Sequence, residues 1–329
     1  MKRVANLFDS IADRDNLRLA VARALRGKRD RAEARAFQAC LERNLDALQT
    51  DLLTDRLAIG EFRQFVIHDP KERIITAPCF RERVLHHAIM NVCEPYFDRW
   101  LIDDTFACRR ERGRVAAVLR AQQFSRRYGW YLKLDIRRYF DSIPHQPLNA
   151  RLTRLFKDAR LLSLFARVIA GFRGKLGRGL PIGSLTSQHF ANFYLGWFDR
   201  WVKERWRVPG YVRYMDDMLL WSDSRDQLRE LKESAHEDFL GELGLELKPN
   251  AFVNRSHLGV DFLGCRVYAW GATLNRRSRV RYQRKITSLE RQHERGEISG
   301  LELQQRATAL VAFTQAAGVA SWRFRRRTL

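Results

Sequence analysis

Three things are scarce in this chain of 329 residues. It has only five cysteines, Cys40, Cys79, Cys93, Cys108 and Cys265. They are scattered, odd in number and never in CxxC spacing, which argues against a zinc ribbon and a disulfide framework. Reduced thiols in a cytoplasm are the expectation. Long apolar runs are missing too. No stretch approaches the ~20 consecutive apolar residues of a membrane-spanning helix, and the opening MKRVANLFDSIADRDN meets charge too early for a signal peptide. No membrane partner is expected. Negative charge is the third shortage: 38 Asp and Glu face 60 Lys and Arg, for a net +22 and a pI near 10.5. A field of that sign favours a polyanion, and nucleic acid is the usual one, over a merely solubilising surface or an anionic membrane.

What is present suffices for a large core. Apolar residues make up 45% of the chain, and the length fits one large domain or two to three packed subdomains. Residues 1 to about 60 carry apolar positions at helical spacing among Arg and Glu. FRQFVIHDPKERIITAPCF alternates apolar and polar residues around Asp69-Pro70, the pattern of a hairpin, with Lys71 and Arg73 at its tip or on its second strand. RERVLHHAIMNVCEPYFDRWLI reads as a helix that Pro95 ends or interrupts. WYLKLDIRRYF reads as a buried strand leading into a turn and helix, and LLSLFARVIAGF as another helix. The loop GFRGKLGRGLPIGS precedes a long helical segment from Ser184. VRYMDDMLLW reads as strand, turn, strand, and SRDQLRELKESAHEDFLGELG as an amphipathic helix. LELKPNAF and GVDFLGCRVY resemble strands. The tail from about Asn275 is helical and strongly basic, ending FRRRTL. The central order β-α-β-β-α-β predicts an α+β sheet with helices on one face.

The chemistry concentrates at two places. Asp135 ends a strand-like run, and Asp216-Asp217 sit in a turn hemmed by Tyr214, Met215, Met218, Leu219 and Leu220. Each Asp alone has an ordinary reading, because Asp side chains bond local backbone N–H groups in turns and at strand ends. Unpaired carboxylates beside an apolar surface are costly, however. A divalent cation removes that cost; Mg²⁺ takes a few carboxylates plus waters and substrate phosphates. Two such ions about 3.5–4 Å apart stabilise the attacking and leaving oxygens of a phosphoryl transfer.

At these residues the chain resembles the reverse transcriptases. YMDD (214–217) within an apolar hairpin matches their signature. LKLDIRRYFDSI (132–143) is similar to the motif carrying the first metal-binding Asp, LPIGSLTSQHFANFYL (180–195) to the helix-entry motif that follows, and LGLELKPNAF (243–252) to the motif ending in an active-site lysine. DFLG (261–264) resembles the primer-grip hairpin, and PKERIITAP (70–78) and DTFACRRERG (104–113) the fingers motifs. The resemblance covers about residues 60 to 275 and implies a right-hand polymerase. It divides into an N-terminal helical extension (1–60), fingers (61–130), a palm of antiparallel sheet backed by helices (131–275, with a fingers-type helical insertion at about 148–180) and a basic helical thumb (276–329). It implies Asp135, Asp216 and Asp217 as catalytic metal ligands for two Mg²⁺ ions, with Mn²⁺ as the alternative. Lys71 and Arg73 would bind the incoming triphosphate, and Phe140 would stand at the steric gate against a ribose 2′-hydroxyl. Ile182, Gly183, Gln188 and Lys248 complete the implied substrate-binding set. Each has an ordinary reading as well: solvated basic hairpin for Lys71 and Arg73, core packing for Phe140 and Ile182, a surface lysine before a turn for Lys248.

IGSLTSQ (182–188) narrows the resemblance. Many relatives start this motif with Gln-Gly and end it with Ser-Pro; here it starts Ile182-Gly183 and ends Ser187-Gln188, as in the reverse transcriptases of diversity-generating retroelements. That subtype implies error-prone copying of a template-repeat RNA into cDNA, and replacement of a variable gene region by the product (mutagenic retrohoming). It also implies a small basic accessory protein that forms a helical barrel, besides template RNA, primer or cDNA, and dNTPs. Two other readings stand beside it: another prokaryotic reverse transcriptase, group II intron-like or of a phage-defence type, and a catalytically silent RNA-binding protein on the same scaffold.

Overall fold

A computed structural model describes residues 2–68, 72–172, 174 and 177–316. The expected turn at Asp69-Pro70 with Lys71, and the terminal FRRRTL, lie outside the described residues. The chain packs into two compact units, each assembled from separate stretches. The first takes 1–102, 137–197 and 239–246, and the second 103–136, 198–238 and 247–329. Among the described residues no helix is long and apolar enough to cross a membrane.

The first unit begins with four helices, α1 (Phe8–Ala12), α2 (Arg14–Ala24), α3 (Ala32–Ala39) and α4 (Leu41–Leu53). The Asp13 side chain starts α2 by accepting from the N–H groups of Asp15 and Asn16, two of the donors that a helix start leaves unpaired. A hairpin of β1 (Phe62–Ile67) and β2 (Arg73–Pro78) follows, so Arg73 stands on the second strand. Helix α5 (Phe80–Trp100) continues through Pro95, where the sequence predicts an end or interruption. Proline removes one backbone donor, but here apolar residues on both sides of it are buried. Cys93, Phe97 and Trp100 all lie in the core, and Phe97 meets Phe156 and Phe193 at ring separations of 5.3 and 5.4 Å.

The second unit contains α6 (Gly113–Arg127) and β3 (Trp130–Asp135). Helices α7 (Tyr139–Ser142), α8 (His145–Leu155), α9 (Ala159–Ala170) and most of α10 (Leu185–Arg200) belong to the first. The second unit then continues with β4 (Gly210–Tyr214), β5 (Asp217–Ser222), α11 (Arg225–Ser234) and β6 (Phe252–Arg255). These strands form one antiparallel sheet in the order β4-β5-β3-β6, the split β-α-β-β-α-β arrangement that the element order predicted. A second sheet, β7 (Val260–Phe262), β8 (Cys265–Tyr268) and β9 (Gly271–Leu274), is followed by α12 (Arg276–Glu294) and α13 (Gly300–Ala316). LELKPNAF is not a strand as expected. Leu247 alone bridges to Ile136, and the chain turns at Pro249, which has no N–H to give a ladder; β6 starts only at Phe252.

Side-chain alternation divides the faces of the β3–β5 sheet. Tyr131, Val212, Leu219 and Trp221 pack with Ala117, Val118, Ala121 and Phe124 of α6, and with Val260, Phe262, Cys265 and Val267 of the second sheet. Leu132, Leu220 and Met218 point to the other face and are fully buried. Gly210 faces Trp221 across β4–β5, and a Cβ there would stand 2.8 Å from the Trp221 Cβ and 3.0 Å from the Phe124 ring. Gly210→Ala is therefore expected to destabilise the protein by about 1–3 kcal/mol, as overpacking of a filled core does, measured as a lowered urea midpoint with an unchanged m-value.

Candidate active site: three carboxylates at a hairpin turn

Strands β4 and β5 are joined by only two residues, Met215 and Asp216, because Tyr214 pairs directly with Asp217. Met215 has φ +56° and Asp216 has no positive φ, the pattern of a hairpin turn that favours glycine at its first position. Register then sets the charges. Asp135, last residue of β3, lies directly opposite Asp217, first residue of β5. Like charges placed so are mutually destabilising.

Two lysines offset part of that repulsion. Lys248 Nζ lies 2.6 Å from Asp135 Oδ2, and its backbone N–H donates to the Asp135 carbonyl at 2.8 Å. Lys133, two residues before Asp135 and on the same face, places Nζ 3.2 Å from Asp217 Oδ1 and also donates to the Asp261 carbonyl at 2.6 Å. Three carboxylates against two ammonium groups leave a negative site. Burial and the Asp135 charge push the Asp216 carboxyl up to about 6. Burial also raises Asp217, against the opposing pull of Lys133. Asp135 Oδ1 is buried and accepts no hydrogen bond. Among the described residues no three His, Cys, Asp or Glu side chains are already drawn together as a ligand set; Asp135 and Asp217 are each paired with a lysine instead. An orphaned carboxylate oxygen beside a carboxyl whose ionised form is disfavoured suits a divalent cation, which would relieve both.

Beneath the turn lies a pair that the sequence reading missed. Arg213 is fully buried, and so is Asp199 at the end of α10. Arg213 donates through Nε and Nη2 to the two Asp199 oxygens at 2.6 Å each, and through Nη1 to the Met215 carbonyl at 3.0 Å. Asp199 also accepts from the Tyr211 hydroxyl at 2.6 Å and the Thr105 hydroxyl at 2.9 Å. A two-pronged guanidinium–carboxylate pair has fixed geometry, so the strained turn is bonded to a rigid base. No spacing rule links Asp199 to Arg213, and each in isolation looks like a surface charge.

The remaining residues singled out from the sequence belong to the first unit. Arg73 is exposed on β2, and Phe140 is half-buried on α7 with its ring edge-on to Tyr139 at 5.9 Å. Ile182 is half-buried, and its carbonyl accepts the Thr76 N–H at 2.8 Å. Gly183 has φ +124°, and a Cβ there would come within 2.9 Å of Ile75, so this position requires glycine. Gln188 is half-buried on α10. A second missed network fixes this motif. The buried His86 of α5 meets the Thr186 hydroxyl at 2.8 Å and the Ser184 hydroxyl at 3.3 Å. Glu82, one turn earlier, accepts from the N–H groups of Gly60 and Glu61.

An antiparallel sheet with carboxylates at a hairpin turn and at the end of the adjoining strand is the plan of a template-directed polymerase palm, and solved structures of that class share the fold. Apo telomerase from Candida tropicalis, truncated from its C-terminal domain, matches with a TM-score of 0.52 at 12% identity, over 66% of this chain and 55% of that one. The Candida tropicalis telomerase in complex with a TWJ fragment of telomeric RNA gives 0.50 at 9% identity, over 82% of this chain and 56% of that one. This chain thus spans just over half of those proteins. The profile of the family described as reverse transcriptase (RNA-dependent DNA polymerase) matches residues 68–267. The chain belongs to the reverse transcriptase family. Among its relatives, Protein YkfC of Escherichia coli is 23% identical over 300 residues, 76% of this chain and 77% of that protein. The group II intron-encoded protein LtrA of Lactococcus lactis is 26% identical over 141 residues, 40% of this chain and 23% of LtrA. Reverse transcriptase domains use divalent metal ions.

Two outcomes follow from the site's electrostatics. Arg213→Met strands the buried Asp199 charge and should lower stability by roughly 3–5 kcal/mol. Adding Asp199→Asn should recover part of that loss, since a neutral amide still accepts from Tyr211 and Thr105; denaturant unfolding measures both. For Asp216, the folded pKa of about 6 lies above the ordinary 3.8. The folded state therefore holds the extra proton between those values, and the stabilisation is lost as pH rises through 6. In chelator, Asp216→Asn should be more stable than wild type above pH 6, with the gap closing towards pH 4, as urea titrations at each pH will read.

Proposed function

We propose that this chain is a reverse transcriptase of the diversity-generating type, making error-prone cDNA from a template-repeat RNA. The observation that carries polymerisation is the pairing of Asp135 with Asp217 across β3–β5, with Asp216 in the intervening turn of β4–β5. What supports the subtype is Ile182-Gly183 and Ser187-Gln188 in IGSLTSQ. In this reading residues 1–60 are the N-terminal extension, 61–130 the fingers, 131–275 the palm and 276–329 the thumb.

Asp135, Asp216 and Asp217 would hold two Mg²⁺ ions, or Mn²⁺, which when bound supply an activated primer 3′-hydroxyl and charge neutralisation at the leaving pyrophosphate. The protein's own groups do the rest. Lys248, held at Asp135, and Lys133, held at Asp217, are cations that can turn from carboxylate to phosphate oxygen as substrate arrives. Arg73, together with Lys71, would grip the triphosphate. Phe140 presents a ring against a 2′-hydroxyl and so selects dNTPs. Ile182, in place of Gln, has no side-chain donor or acceptor; a polar restraint on the nascent pair is lost, and with it discrimination. Template RNA, primer, dNTPs and a small basic accessory barrel are the partners, in a cytoplasm.

A group II intron-like role is the second reading, and the similarity to LtrA favours it. Product sequencing separates the two. With dNTPs, an RNA template and Mg²⁺, the wild type should misincorporate opposite template adenine, and Ile182→Gln should lower those errors more than it lowers total synthesis. Equal error spectra for the two proteins would remove the proposed role of Ile182, and accurate copying by wild type would favour the intron-like reading. Replacing Asp216 and Asp217 with Ala should abolish extension, by at least about 10³-fold on the scale of lost transition-state stabilisation, while RNA binding persists.

A further inference from the structure

Phe262 pairs directly with Cys265, so β7 and β8 are joined by Leu263 and Gly264 alone. Both have positive φ, +48° and +79°, as in the two-residue turns that follow the twist of their strands. A Cβ on Gly264 would stand 2.7 Å from Ser278 Oγ and 2.8 Å from Arg114 Nη2. The turn is thus wedged between the start of α12 and one arginine of α6. That arginine is costly where it stands. Arg114 lies in the first turn of α6, where the helix dipole disfavours a cation. It is half-buried, and burial holds its guanidinium below the ordinary value. What offsets these costs is the turn itself: Arg114 donates through Nε and Nη2 to the Leu263 carbonyl, at 2.9 and 2.5 Å, and bonds from a charged donor are the strong ones.

Three ties fix this turn relative to the carboxylates. The Gly113 N–H, next to Arg114, donates to the Phe106 carbonyl, and the Phe106 N–H donates to the Arg213 carbonyl, both at 2.9 Å. Arg114 is thereby tied to β4, the strand that leads into Met215 and Asp216. On the other side, Lys133 spans Asp217 Oδ1 and the Asp261 carbonyl of β7. The third tie is to α12. The Asn275 N–H donates to the Gly264 carbonyl at 3.1 Å, and Asn275 Oδ1 accepts from the Ser278 N–H at 2.9 Å. Hydrogen bonds therefore run from the carboxylate hairpin to the Leu263-Gly264 turn, and from that turn into the start of α12.

We propose that Arg114 is a positioning residue: by holding the Leu263-Gly264 turn, it sets where a primer 3′ end lies relative to Asp135, Asp216 and Asp217. This role rests on the polymerase reading and on the resemblance of DFLG to the primer-grip hairpin. Arg114 acts through the turn and not on the reacting atoms.

The test is single-turnover extension of a DNA primer on an RNA template by the full chain with Mg²⁺. It reads the rate at saturating dNTP and the half-saturating dNTP concentration; anisotropy reads primer–template affinity across a salt series. Arg114→Gln should lower the rate by about 10- to 100-fold, on the scale of a 1 Å misplacement. Half-saturating dNTP, affinity and the slope of log K against log salt should be unchanged. A slope reduced by about 0.7–0.9 would mean that Arg114 holds a phosphate itself, and would overturn the proposal. Arg114→Lys, which keeps the charge and one donor group, should recover part of the rate. Gly264→Ala disturbs the turn with the arginine intact. It should cost a similar factor, and Arg114→Gln/Gly264→Ala no more than either alone, because both changes act through one turn. Melting temperatures report folding; should Arg114→Gln not fold, Arg114→Lys replaces it, with a smaller loss of rate and the same unchanged slope. Full-rate extension by the Arg114 variant, or losses that multiply in the double variant, would overturn the proposal alone. No extension by wild type would overturn the polymerase reading and the proposal with it.

Discussion

Carboxylates held opposite one another at the edge of a filled core are the constraint around which the second unit is arranged. The β3–β5 register sets Asp135 against Asp217, and the two-residue turn leaves Asp216 no room to retreat. Water is partly excluded by the apolar residues that make the strands. The result is visible in the raised Asp216 carboxyl and in Asp135 Oδ1, which has no hydrogen-bond donor. Lys133 and Lys248 make the arrangement tolerable without ending it, since two ammonium groups cannot neutralise three carboxylates. A site left short of positive charge is prepared for cations and, through them, for phosphate.

Such a site needs a rigid base, because repulsion would otherwise open the turn. Met215 stands at a positive φ where glycine would be at ease. Its carbonyl is bonded by Arg213, whose other nitrogens are locked on Asp199. A buried ion pair seldom adds much net stability; its value here is geometric. The same economy recurs in the first unit, where His86, Ser184 and Thr186 pin the IGSLTSQ segment and Gly183 lets the chain lie against β2. In both places a buried polar network, rather than an apolar contact, fixes backbone that carries candidate functional residues.

The sheet and its carboxylates were legible in the sequence because each rests on local pattern. WYLKLD alternates as a strand, and VRYMDDMLLW can only turn at its charges. The β-α-β-β-α-β order limits the topology. Arg213, Asp199 and Lys133 were not legible. Their roles depend on which face of a strand meets which helix end, and a charged residue within an apolar stretch gives no hint of its partner. Pro95 misled because packing of Cys93, Phe97 and Trp100 outweighs one missing backbone bond. LELKPNAF misled because its alternation is real, yet Pro249 withdraws it from the ladder and leaves Lys248 against Asp135.

Membership of the reverse transcriptase family, the shared polymerase fold and the negative site agree on phosphoryl transfer to a nucleic acid end, and the strong positive charge elsewhere agrees on the partner. The account stands on one claim above all, that the three carboxylates form a divalent-cation site. Mn²⁺ binding followed by electron paramagnetic resonance tests it directly, without substrate or turnover. Wild type should take up Mn²⁺ saturably, and Asp135→Asn, which keeps the shape of the side chain and removes its charge, should lose that uptake. Equal Mn²⁺ uptake by the two proteins would contradict the claim.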